Sequence, residues 1–180
     1  MKKSELVDMF LEIHREPNKA DMNRGLVSRA ISMALNAVFF EIFSKDTSNL
    51  ADYLLPYNIV PVKHNSEVSI ITLPINTLQF PTVGDSIRIS SETDTSLMFV
   101  PIKIGEVELL GDVRELDTVI PFTVKNDKVW LYGLQTISSL LVELIPEFHE
   151  LDDDHKFKIP SGVDIKLMES VREILNIGKN

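Results

Sequence analysis

The chain has 180 residues, 44% hydrophobic and 25% charged, a composition that supports a folded core and argues against wholesale disorder. It contains no cysteine, which excludes disulfides, thiol nucleophiles and thiolate zinc sites and fits a reducing cytosol. Its net charge of −9 resides in residues 67–180, with 10 Lys/Arg against 19 Asp/Glu, while residues 1–66 carry 8 of each; static, sequence-specific DNA binding needs basic patches that this distribution lacks.

In chain order, Ser4, Glu5 and Asp8 interrupt any apolar run after Met1-Lys2-Lys3. No stretch of roughly 18 apolar residues exists, so the expectation is a chain with neither a signal peptide nor a membrane span. Leu6, Met9, Phe10 and Ile13 have helical spacing, which predicts a helix over 4–15 with Ser4 as N-cap and Pro17 closing it. A longer helix is predicted from Asp21 to about Ser44. Its apolar residues occupy every face past Ala30, so it must be covered all round, in part by a neighbouring chain. Phe39, Phe40 and Phe43 are its candidate interface residues.

Thr47 and Ser48 read as the cap of a helical turn through Leu55, ended by Pro56 and Pro61. The period then changes. Short β-branched and apolar runs at 67–73, 86–90, 97–104, 106–110, 118–124, 128–132 and 139–145 predict six or seven antiparallel strands. Asn126-Asp127 between Lys125 and Lys128 marks a two-residue hairpin turn. Pro74, Pro101 and Pro121 place their strands at edges or bulges. Residues 146–158 are polar and acidic and read as a solvated loop. Pro160-Ser161 opens a final helix with Ser161 as N-cap and Asp164 as capping-box partner. Val163, Leu167, Val171, Ile174 and Leu175 form its buried stripe, and Gly178 ends it.

The fold class expected is segregated α+β: N-terminal helices, a central antiparallel β-rich insertion of six or seven short strands, and a C-terminal helix. A single domain over 1–180 is expected, with a helical part and linker at 1–66, the β-rich part at 67–145, an acidic loop at 146–160 and the closing helix at 161–178.

Chemistry is sparse. His149, Glu150, Asp152, Asp153, Asp154 and His155 form the one cluster suited to a divalent cation. It lacks the central glycine and downstream glutamate of a calcium loop, so no metal site is expected. His14 and His64 are isolated from any nucleophile signature, and the seven glycines are dispersed at turn positions, with no phosphate loop or dinucleotide fingerprint. The reading is therefore a protein that is not an enzyme, with no cofactor and no small-molecule substrate. Trp130 and Tyr132 alternate with Val129 and Leu131, which predicts that they share a sheet face; a packed face or a protein interface is favoured over base stacking, because the only nearby cations belong to the turn.

The order of parts resembles the ring or adaptor subunits of short-tailed, crAss-like bacteriophages. The resemblance is carried by Asn23-Arg24-Gly25-Leu26-Val27-Ser28-Arg29-Ala30-Ile31 in the long helix, Ile71-Thr72-Leu73-Pro74 at the start of the sheet, and Phe157-Lys158-Ile159-Pro160 before the last helix. It implies a structural virion protein at the portal vertex or tail, made in the host cytoplasm. It implies a cyclic homo-oligomer, a dodecamer among the forms allowed, that meets the portal protein and other tail or ring proteins. DNA would pass through without specific binding, and no membrane is involved. The expected subunit interface takes Phe39, Phe40, Phe43, Trp130 and Tyr132. The rival expectation is a soluble, acidic, phage-encoded inhibitor that mimics nucleic acid and blocks a host DNA-binding enzyme.

Overall fold

The computed structural model describes residues 1–14, 23–45, 50–78, 80, 87–103, 105–106, 118–125, 127–133 and 137–176. Among the described residues, three helices and eight strands in two sheets make the fold α+β, as the pattern predicts. The chain forms two compact units. Met1–Tyr53 and Glu147–Asn180 build the first, and Leu54–Pro146 builds the second, so the β-rich part starts well before Glu67.

In the first unit, α1 (Lys3–Ile13) is capped at Lys2 and not at Ser4. The Lys2 backbone N–H donates to Glu5 Oε2 at 2.8 Å, and the Ser4 N–H is instead taken by the Asp153 carbonyl at 2.8 Å. The buried stripe is Leu6, Val7 and Phe10; Ile13 is 63% exposed, so the stripe is rotated from the predicted one. Pro17 lies outside the described residues.

Helix α2 (Arg24–Phe43) begins at an Asn23 cap whose Oδ1 accepts from the Gly25 and Leu26 N–H groups at 2.8 and 3.4 Å. It packs against both α1 and α3 (Asp164–Ile174). Val27, Ile31, Leu35, Val38, Phe39 and Phe43 are buried along it. Cover within the chain is not complete: Leu26, Met33 and Phe40 remain 59%, 52% and 45% exposed. The helix is long and apolar enough to cross a membrane by length and composition, with mean hydropathy 1.5, yet half of the apolar window is buried in the fold.

A 3-10 turn at Leu50–Tyr53 follows; Thr47 and Ser48, its predicted caps, lie outside the described residues. The acidic stretch after Glu147 is not a fully solvated loop. It has no regular structure, but Phe148, Leu151 and Phe157 are buried. The Phe148 ring centroid lies 4.8 Å from that of Phe39 and 5.0 Å from that of Phe157. The Phe148 N–H donates to Asn36 Oδ1 at 2.8 Å, which fixes this stretch to α2. Helix α3 is capped at Val163 and not at Ser161. Residues Ser161 and Gly162 turn first, with Gly162 at φ +83, and Asp164 becomes the first helical residue, where its charge suits the helix dipole. Val163, Leu167 and Val171 are buried as predicted; Ile174 is exposed, and Gly178 lies outside the described residues.

The second unit holds a three-stranded sheet in the order β1-β8-β4 and a five-stranded sheet in the order β2-β3-β7-β6-β5. The strands are β1 (Leu55–Ile59), β2 (Val62–Lys63), β3 (Val68–Thr72), β4 (Ile87–Ser91), β5 (Met98–Pro101), β6 (Val119–Lys125), β7 (Lys128–Tyr132) and β8 (Leu140–Leu144). Alternation places Ile71, Ile120, Phe122, Val129 and Leu131 on one face of the larger sheet. They share a core cluster with Ile87, Leu140, Val142 and Leu144 of the smaller sheet.

Six of the seven predicted strands are present, and the seventh, 106–110, falls largely outside the described residues. The expected helical turn ends at Tyr53, and strand β1, which was not predicted, follows it from Leu55 and runs through Pro56. It is an edge strand, so proline's missing N–H removes no necessary ladder bond. Strands β5 and β6 pair in parallel, against the expectation of an all-antiparallel sheet. Pro101 is on edge strand β5 as expected, whereas Pro121 is on the interior strand β6. The ladder to β7 starts only at Phe122, so Pro121 pairs with β5 alone and no β7 residue is opposite it. The hairpin register is as predicted, Val124 opposite Val129 and Lys125 opposite Lys128, with Asp127 at φ 56.

Candidate functional site

The candidate interface residues fall in three different settings. Phe39 and Phe43 are 1% and 2% exposed, and their rings meet each other and Tyr53 within the first unit. They are core of their own chain, so contact with another molecule at α2 falls to Phe40. Leu26, Met33 and Phe40 stand seven residues apart, so they share one face of α2, with exposed Ala37 between the last two. Residues 30–40 carry no charge. Sequence reading missed Leu26, Met33 and Ala37 as a group because apolar residues on the buried faces obscured the seven-residue spacing.

Trp130 and Tyr132 share the outer face of the larger sheet, as expected. The register adds neighbours that the sequence had confined to the turn: Lys125 and Lys128 stand on this same face, with Ile70 and Thr123 flanking Trp130. The His64 ring meets the indole edge-on at 5.5 Å. The indole N–H is buried and has no hydrogen-bond partner among the described residues. Burial pushes the Tyr132 phenol above its ordinary pKa of 10.0.

The acidic segment is divided by its contacts. Lys3, nearly buried, holds Asp153 at 3.1 Å, and Ser28 Oγ donates to the same carboxylate at 3.0 Å. Burial alone pushes the Asp153 carboxyl up; hydrogen bonds from Lys3 and Ser28, with the charges of Lys3 and Arg24, outweigh it and leave the pKa below 3.8. Arg24 also binds Asp8, which ties α2 to α1. Backbone bonds between Met1 and Phe157, each donating to the other's carbonyl at 3.0 Å, complete this seam. Lys3 was missed as a key residue, since a lysine near a chain start carries no sequence signal of burial.

Of the predicted cation cluster, His149 and Glu150 stay together and are joined by Glu147, with ligand atoms within 4.8 Å of one another. Asp153 pairs with Lys3 and Asp154 with Lys2, each at 3.1 Å, and neither joins that group. Two carboxylates and an imidazole are a donor set for a divalent cation, but they are exposed or half-exposed and His149 already meets both glutamates at 3.4 and 3.8 Å. A cleft of about 420 Å³ in the first unit is lined by Asp52, Tyr53, Lys158, Ser161 and Asp164 among others. No histidine lines it, so Ser161 has no imidazole base there.

No protein-family model matches this chain, and no curated protein matches it. Three features stand out in the chain's own geometry: an exposed apolar face on α2, a sheet face combining aromatic and cationic side chains, and an acidic segment held by a buried lysine.

Proposed function

We propose that this chain is a structural subunit that works by packing against copies of itself and other proteins, as one member of a cyclic homo-oligomer. The observation that carries this is the exposed face of Leu26, Met33, Ala37 and Phe40 on a helix whose other faces already pack on α1 and α3. Apolar side chains at seven-residue spacing suit a second helix laid alongside. The resemblance to phage connector subunits directs the proposal to a ring beneath a portal, and the two-ended first unit with an inserted second unit accords with that order of parts.

Reconstruction of virions or of a co-assembly with the portal tests the reading, with this chain expected in a rotationally symmetric ring. A chain found outside any ring, bound to a host DNA-binding enzyme, overturns it in favour of the inhibitor. The ion pair of Asp153 with Lys3 disfavours that rival, because it neutralises the middle of the one row of adjacent carboxylates that would imitate phosphates.

A further inference from the structure

Lys128 of β7 stands directly across from Lys125 of β6, both exposed, at the end of the outer sheet face. Opposed strand positions put their backbones about 5.5 Å apart, where like charges repel. Among the described residues neither ammonium has an ion-pair partner, Asp127 in the intervening turn included. The outer-face positions of the larger sheet's described strands, which include Trp130, Ile70 and exposed Met98, hold no acidic residue, in a chain of net charge −9. An anionic partner would relieve the repulsion that the fold leaves in place.

The same chain offers such a partner. With the Asp153 carboxylate paired to Lys3, its neighbours Asp152 and Asp154 are exposed, and the Asp154 side chain is 83% exposed. Residues two apart along a chain are separated by at most about 7 Å, a spacing similar to that of the two lysines. The pair from Asp154 to Lys2 is a surface one, worth little, and does not oppose sharing.

We propose that Lys125 and Lys128 of one copy receive Asp152 and Asp154 of a second copy, beside Trp130. The contact joins unlike surfaces, so it is head-to-tail, the class of interface from which a ring is built. It rests on the subunit reading above and names the surfaces that meet.

The test uses the full chain. An equal mixture of 15N-labelled and unlabelled protein, at on the order of 1 mM in low salt, is treated with a zero-length carbodiimide cross-linker and analysed by mass spectrometry. Mixed-isotope links between either lysine and either aspartate are expected. Sedimentation equilibrium should show self-association weakened roughly tenfold or more by K125E/K128E, weakened similarly by D152K/D154K, and restored in a mixture of the two. Circular dichroism confirms folding, and K125Q/K128Q replaces the reversal if the hairpin does not tolerate it. Links confined to one isotope, no links, unchanged association of the variants, or no restoration on mixing overturns the contact. A ring seen with its interface elsewhere overturns this contact and leaves the subunit reading intact; a confirmed contact with no ring at the portal does the reverse.

Discussion

Lys3 is the residue whose loss should be felt furthest from its place in the sequence. It is 5% exposed and its ammonium serves both Asp153 and the Leu151 carbonyl, so it holds the acidic segment onto α1. The sign of the pH dependence follows from Asp153. A carboxyl whose pKa is lowered on folding contributes its stabilisation in full above the unfolded value near 3.8 and loses it as the pH falls through the lower folded value. Asp153→Asn should therefore be about 1 kcal/mol less stable than the parent at pH 7, a figure kept small because half the side chain meets solvent. The difference should close as the pH falls below 3.8, which urea titrations at a series of pH values will show. A gap of unchanged size in acid would mean that the charge of Asp153 is not what binds the segment. None of this was legible in the sequence, where DDD read as solvated charge; the cue that mattered was the apolar frame of Phe148, Leu151 and Phe157 around it, which pulls the backbone inward.

At the scale of elements, periodicity located the three helices and most strands because each buries one face. It could not say which face of α2 is left over, since apolar residues surround that helix and only α1 and α3 decide the matter. Two adjacent phenylalanines should consequently behave in opposite ways. Phe39→Ala removes a fully buried ring and should cost ~3–5 kcal/mol. Phe40→Ser should leave the melting midpoint within a few degrees of the parent while lowering the apparent assembly constant. Thermal melts and light scattering on the two variants check both; a Phe40→Ser protein that assembles as the parent does would remove α2 from the interface. The parallel pairing of β5 with β6 was hidden for a different reason. Short runs separated by turns imply hairpins, and the sequence has no local signal for a connection that returns a strand in the same direction.

For the whole molecule, the division into two units leads to a prediction of its own. Residues 54–146 contain a complete cluster in which both sheets share Ile71, Phe122, Leu131, Leu140 and Val142. Expressed alone, this segment should fold, with dispersed amide resonances and a cooperative melt. The composition and the helix, sheet, helix order made the class readable, but not the boundary at Tyr53 and Leu54, because Pro56 resembles a helix stop more than the start of an edge strand.

The first unit is discontinuous, and that has a consequence in time. A ribosome releases Met1–Tyr53 first, then all of the second unit, and only afterwards Glu147 onwards. Until then α2 has α1 beside it but lacks α3 and the ring of Phe148 that closes over Phe39. During synthesis the most apolar of the described helices must wait, partly uncovered, while the β-rich unit is translated and folds. That interval is when the nascent chain is most exposed to chaperones and to its neighbours on the same message, so copies emerging side by side have their first opportunity to meet before either is finished.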